Sequence, residues 1–239
     1  MIERLSSAMG RIAPSPTLAM STRVLELRAQ GIDVIGLSAG EPAVTAARLV
    51  VLVSGNGSNL QAILDGCASG ELGAQVVAVI SDRADAFGLE RAIRANIPAI
   101  ARPKLNTQDR AEYDADLAAV IASFEPDWIV LAGWMRLLSS SLLDRFPNQV
   151  VNLHPALPET FPGTHAIERA FSAFQRGEIE HTGVMVHLVP DEGVDSGPVL
   201  AQEVVFIDPN DTLETLEAKV HTTEHRLLVN TLNVLCTSG

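Results

Sequence analysis

Two polar residues close an apolar run in "VVNLHPALPETFPGTH", Val150 to His165. A run of this kind reads as a buried strand, and on a strand residues two apart project to the same side. Asn152 and His154 would therefore reach one spot. A carboxamide there can donate to an oxygen that gains negative charge, and an imidazole can move a proton near neutral pH. A third member is Asp195 in "DEGVDSGP", because a glycine-flanked loop can carry a carboxylate back over a sheet edge. Beside His154 that carboxylate would stabilise the imidazolium and raise its pKa. Asp191 and Glu192 compete for the role, and turns of this composition are often merely solvated. A single buried histidine is usually a satisfied core residue. A polar pair on one strand face, at a strand's carboxyl end, argues against that reading here.

Two further stretches carry chemistry. "SGNGSNL", Ser54 to Leu60, falls between an apolar strand and an apolar-periodic helix, where free N–H groups and the helix dipole favour an anion. Gly55 and Gly57 would let the backbone approach a phosphate closely. The dinucleotide fingerprint is a rival, but its third small residue would fall at Leu60, although Asp82 could still accept from a ribose. A purely structural turn is the other rival. "HTTEH", His221 to His225, matches a zinc pattern on a helix, yet zinc would need a further ligand and an open position. No metal is expected. Glu224 lies four residues after Val220 on an otherwise apolar face, and an inward carboxylate usually has a partner, such as a ligand hydroxyl or amine.

The elements that must position these groups alternate regularly from Arg48 onward. "RLVVLVS", "AQVVAVISD", a short piece at 98–101, "DWIVLAG" and "QVVNLH" read as strands. Helices are expected after "SGNGSN", over "ADAFGLERAIRAN", over 109–124 with Tyr113, Leu117, Val120, Ile121 and Phe124 on one face, and from His165 to Arg176. "TGVMVHLV" and "GPVLAQEVVF" are two more strands. The last helix starts near Asp211 with Glu214 as its capping-box partner and carries Leu213, Leu216, Val220, Leu227 and Leu235 on one face. This pattern implies an α/β, Rossmann-like, mainly parallel sheet with helices on both faces. Ligands in such sheets gather beyond the strands' carboxyl ends.

The chain has 239 residues, enough for one large domain or a domain with an appendage. A net charge of −12 opposes broad attraction to nucleic acid or anionic membranes, so an anionic ligand would need local donors. Cys67 and Cys236 make neither a disulfide framework nor a metal spacing, no stretch reaches membrane-spanning length, and no secretion signal is evident. The expected compartment is the cytoplasm.

Residues 1–46 differ in character from the rest. They hold a plausible short helix and strand but cannot close a core, and through "SAGEP" (Ser38–Pro42) they resemble the N-terminal segment of class I pyridoxal-phosphate aminotransferases. Lys104 and Lys219, the only lysines, do not stand in the context that a Schiff base requires. The segment reads as a fused extension without its original chemistry, ahead of a domain at 47–239.

From Arg48 onward the chain resembles the phosphoribosylglycinamide formyltransferases through "VLVSGNGSNLQAI", "VISDRADAFGLERA", "VLAGWMRLLS", "VNLHPAL", "FPGTH", "DEGVDSGPVLAQ" and "EHRLLV", in that order. The resemblance implies formyl transfer from 10-formyltetrahydrofolate, as cosubstrate, to the amine of glycinamide ribonucleotide in purine biosynthesis, without metal, by a monomer or homodimer. It implies Gly57, Ser58 and Asn59 on the substrate phosphate, with Glu224 and His221 near the same nucleotide. Met135, Arg136, Leu137 and Leu138 would line the folate pocket, with Arg110, Asn152 and the Asp191–Asp195 loop contributing. His154 would be the proton donor, Asn152 the partner of the formyl oxygen, and Asp195 the residue that raises the histidine pKa. The sequence departs from the family at Pro158 and Glu159, where Leu then Pro is usual, which predicts a displaced loop after the histidine. The Asp195 loop is one residue longer than usual, and His221 replaces a more usual glutamine. Rival readings are a formyltetrahydrofolate deformylase, with water as acceptor, a catalytically impaired fusion that only binds folate or nucleotide, and, third, an aminotransferase.

Overall fold

The structure is a computed structural model that describes residues 46–237. The expectations for the leading segment, its aminotransferase-like stretch included, fall outside these residues except at Ala46.

Seven strands form one sheet: β1 (Ala47–Val53), β2 (Ala74–Ser81), β3 (Ala99–Ala101), β4 (Trp128–Leu131), β5 (Val150–His154), β6 (His181–Leu188) and β7 (Val199–Phe206). Their order is β3-β2-β1-β4-β5-β6-β7. Pairings from β3 through β5 are parallel, while β5–β6 and β6–β7 are antiparallel. The helices are α1 (Ser58–Ser69), α2 (Phe87–Arg94), α3 (Arg110–Ala122), the single turn α4 (Ser140–Leu143), α5 (Ala166–Gln175) and α6 (Leu213–Thr237).

Strand β1 shows why the sheet is covered on both sides. Leu49, Val51 and Val53 join one core with Leu60 and Ile63 of α1 and Leu216, Val220 and Leu228 of α6. Val50 and Leu52 join another with Tyr113, Leu117 and Ile121 of α3 and Leu142 of α4. These five of the seven β1 side chains are fully buried, each worth roughly 1.5–3 kcal/mol in removal of apolar surface. A continuous apolar run is what a strand covered on both faces needs.

Local signals explain the ends. Asp109 caps α3 in a reciprocal capping box with Glu112. Helix α2 begins at Phe87, three residues later than the periodicity predicts, with Ala86 still extended. At α6 the expected Asp211–Glu214 box is replaced: the Thr212 and Thr215 hydroxyls each accept from the other's backbone N–H, and Asp211 accepts from the Thr215 hydroxyl. Helix α4 was not expected, since four residues carry no readable period.

The chain order reverses beside β1, where β2 lies on one side and β4 on the other. That places a crevice beyond the carboxyl ends of β1 and β4, the usual ligand position in such sheets.

Candidate active site

A cleft of about 560 Å³ opens there. Ser54–Asn59, the Ala132–Leu138 stretch after β4, the end of β5 with Pro155, the turn at Gly163–Ile167, the 191–195 loop, and His221 and Glu224 of α6 all line it. Of the residues expected at the site, only Arg110 does not line the cleft. It makes an ion pair with Glu192, which does, and Glu192 also accepts from the Ser140 N–H at 2.9 Å. Arg110 is thus tied to the loop that lines the cleft.

Asn152, His154 and Asp195 do converge. Asp195 Oδ1 accepts from the Asn152 amide at 3.0 Å, and its Oδ2 accepts from the Gly163 N–H at 2.8 Å and stands 3.3 Å from His154 Nδ1. The other ring nitrogen, His154 Nε2, lies 3.1 Å from the Phe161 carbonyl oxygen. Both neighbours of the ring are acceptors, so only the protonated imidazole satisfies both. The expected rise in the His154 pKa nevertheless does not occur. Burial, which disfavours the charged ring, outweighs the Asp195 charge and the Phe161 carbonyl and leaves the pKa below its ordinary value. Burial also pushes Asp195 up, but the hydrogen bonds from His187 and Gly163 and the His154 charge overcome it, so Asp195 stays ionised below the usual range.

A fourth member went unread in the sequence. His187 of β6 pairs directly with Asn152 of β5 in the antiparallel register, and His154 pairs with Met185. The His187 ring is buried, with Nδ1 2.8 Å from the Leu188 carbonyl oxygen and Nε2 3.1 Å from the Asn152 amide nitrogen. Nε2 also stands 3.6 Å from Asp195 Oδ1, so the ring faces the Asn152 amide and the carboxylate together. The signal that could have found His187 is a polar residue within the apolar "TGVMVHLV".

The loop after His154 takes left-handed backbone at Glu159 (φ 65°) and Phe161 (φ 46°), and Asp195 does the same (φ 49°). Such conformations strain residues with a side chain and persist where the surroundings over-determine them. Here they turn the Phe161 carbonyl toward both His154 and Arg169, whose guanidinium donates to it at 2.7 Å.

At the far end, Gly57 (φ 73°) is the N-cap of α1 and makes no side-chain cap. A Cβ there would lie 2.8 Å from Gly88 Cα of α2. Only glycine permits both the turn and the contact, and the first-turn N–H groups of α1 are left facing the cleft. Glu224 is buried next to Asn59, and burial pushes its pKa up to about 7 despite the Asn59 hydrogen bond. His221 Nε2 stands 3.9 Å from it. Asn59 Oδ1 and His225 Nε2 are buried without a partner among the described residues.

The stretch after β4 supplies an apolar wall. Met135 and Leu137 expose 66% and 50% of their surface, a shelf suited to a flat ring, while Leu138 packs into the core behind it. Arg136 lies over the Tyr113 ring at 5.2 Å and 3.9 Å from Asp82. The Met135 N–H donates to Ser54 Oγ at 2.9 Å, which ties this wall to the end of β1.

Comparison with known proteins identifies the family. Phosphoribosylglycinamide formyltransferase of Schizosaccharomyces pombe is 46% identical over 81% of this chain and 99% of its own length. The Dictyostelium discoideum protein of the same name is 43% identical over 79% and 98%. The crystal structure of glycinamide ribonucleotide transformylase 1 from Symbiobacterium toebii superposes with a TM-score of 0.76 at 40% identity, covering 81% of this chain and 89% of that one. The formyl transferase family model matches residues 47–232, and the chain belongs to that family.

Proposed function

We propose that this chain is a phosphoribosylglycinamide formyltransferase of purine biosynthesis. It moves the formyl group of 10-formyltetrahydrofolate, bound as cosubstrate, to the amine of glycinamide ribonucleotide. The observation that carries the reading is one carboxylate, Asp195, gathering Asn152, His154 and His187 at one end of a cleft whose other end is a glycine-bounded helix N-terminus. An anion cradle and a polar transfer site lining one cleft are what a phosphorylated amine and a formyl donor require together.

In this reading Gly57, Ser58 and Asn59 hold the phosphate, and Glu224 and His221 face the same nucleotide. Met135, Arg136, Leu137 and Leu138 bound the folate rings, with the Asp191–Asp195 loop closing over them. The neutral amine attacks the formyl carbon, and the carbonyl electron pair moves onto oxygen. Asn152 gives up one of its two bonds to donate to that oxygen, and protonated His154 turns Nε2–H from the Phe161 carbonyl toward it. The new negative charge favours the imidazolium that burial otherwise disfavours. The attacking nitrogen then loses a proton, the bond from carbon to the folate nitrogen breaks, and that nitrogen takes up a proton. No metal is needed for any of these steps.

The domain is 47–239, with 1–46 an extension to it. The compartment is the cytoplasm and the assembly a monomer or homodimer; among the described residues no helix is long and apolar enough to cross a membrane. The test is a product assay with both substrates that separates formylated amine from free formate. Formylated ribonucleotide in step with folate consumption is expected. Formate alone would mean a deformylase, and binding without turnover an impaired fusion.

A further inference from the structure

The loop that would hold the phosphate makes no cap of its own, so something outside it must fix its shape. Helix α2 does this. Its Gly88 N–H donates to the Gly55 carbonyl at 3.0 Å, and Arg91 one turn later grips the next residue. Arg91 Nε donates to the Asn56 carbonyl at 2.8 Å, one terminal nitrogen to Asn56 Oδ1 at 2.9 Å, and the other to Gln61 Oε1 at 3.0 Å. Gln61 is itself oriented, because its amide nitrogen donates to Asp65 at 2.8 Å. The guanidinium lies 4.8 Å over the Phe87 ring, and its stem is 3.5 Å from where a Gly57 Cβ would stand. All three oxygens that Arg91 touches are neutral, so the charge is not offset by a hydrogen-bonded carboxylate.

We propose that Arg91 is a positioning residue for substrate phosphate: it locks Asn56 and Gly57 in the turn that aims the α1 N-terminus into the cleft, and it places a positive charge behind that turn. Arg91 does not line the cleft and acts through the loop. A planar fork with fixed donors can bridge two residues across the turn, whereas an ammonium is a point charge on a flexible stem. In a chain of net charge −12, a local cation behind the anion cradle also lowers the cost of bringing in a dianion. The inference rests on the reading of the Gly57 loop as the phosphate site.

The test is steady-state kinetics of the full chain and its Arg91→Lys and Arg91→Met variants, with glycinamide ribonucleotide and with its phosphate-free riboside, alongside thermal melts. The intact chain should prefer the phosphorylated substrate. Arg91→Lys, which keeps charge and loses the clamp, should raise KM for the ribonucleotide about fivefold, and Arg91→Met, which loses both, about thirtyfold. For both variants kcat and the folate KM should stay within about twofold, and the riboside should be used equally by all three proteins. The proposal is overturned if Arg91→Met leaves the ribonucleotide KM unchanged, or if it slows both substrates alike, which marks a purely structural role. Should Arg91→Met not fold, Arg91→Lys carries the same comparison. An intact chain that treats ribonucleotide and riboside alike overturns the phosphate reading of the loop itself, and the inference with it.

Discussion

At the end of the cleft proposed for the nucleotide, the structure is built from backbone: a left-handed Gly57, the opening N–H groups of α1, and a neighbouring helix packed so closely that a methyl group would collide. At the end proposed for formyl transfer it is built from side chains on β5, β6 and the 191–195 loop, brought together by an antiparallel register and one carboxylate. A backbone site depends on what the chain can bend into. A side-chain site depends on which residues the sheet sets opposite each other. The first tolerates almost no added volume at its glycine, and the second almost no change in chemistry at its acid.

The comparison can be broken most sharply at Asp195. Asp195→Asn should keep the fold, since asparagine tolerates the left-handed backbone found there, yet lose the charge that three partners share. We expect kcat to fall about 10²- to 10³-fold with little change in nucleotide affinity. Loss of nucleotide affinity instead would merge the two ends into one unit. Gly57→Ala should do the reverse, raising the ribonucleotide KM at least about tenfold and costing about 1–3 kcal/mol in stability through strain at positive φ. A normal KM in that variant, measured beside its melting temperature, would mean that the cradle is not where the phosphate sits.

A third effect is in stability against pH and leaves the catalytic comparison aside. Glu224 has its pKa raised from 4.5 to about 7 in the folded chain. The folded state holds that proton more tightly than the unfolded state, so its contribution is full below pH 4.5 and is lost as pH rises through 7. Glu224→Gln should therefore be the more stable protein at pH 8 by up to about 3 kcal/mol, with the gap closing toward pH 4.5. His154 acts in the opposite sense: its lowered pKa gives a contribution present above 6.5 that fades as pH falls. Denaturant melts at pH 5 and pH 8 check the sign, and an equal gap at both would contradict a carboxylate whose burial outweighs its Asn59 hydrogen bond.

The two ends also differed in how far the sequence revealed them. The glycine spacing in "SGNGSN" and the period-two placement of Asn152 and His154 were readable because each is a local pattern that backbone geometry enforces. Strands β1 and β2 were readable as continuous apolar runs. His187 was not, because its role comes from facing Asn152 across a pairing that neither strand encodes alone. The direction of the His154 pKa was misread for a related reason: a neighbouring charge can be inferred from a motif, but the depth of burial that outweighs it belongs to the packed structure. The pairing of Arg110, expected at the folate pocket, with Glu192 of the 191–195 loop could not be read either, since it joins residues 82 positions apart. The cap of α6 moved by one residue because two threonine hydroxyls satisfied the same N–H groups.

The most direct measurement pairs single-turnover formyl transfer with calorimetric binding of glycinamide ribonucleotide in His154→Ala. If an imidazole at the end of β5 donates to the developing oxyanion while a separate cradle holds the phosphate, the variant binds the nucleotide as tightly as the parent and transfers the formyl group about 10²- to 10³-fold more slowly. Transfer at near the parental rate would contradict the account.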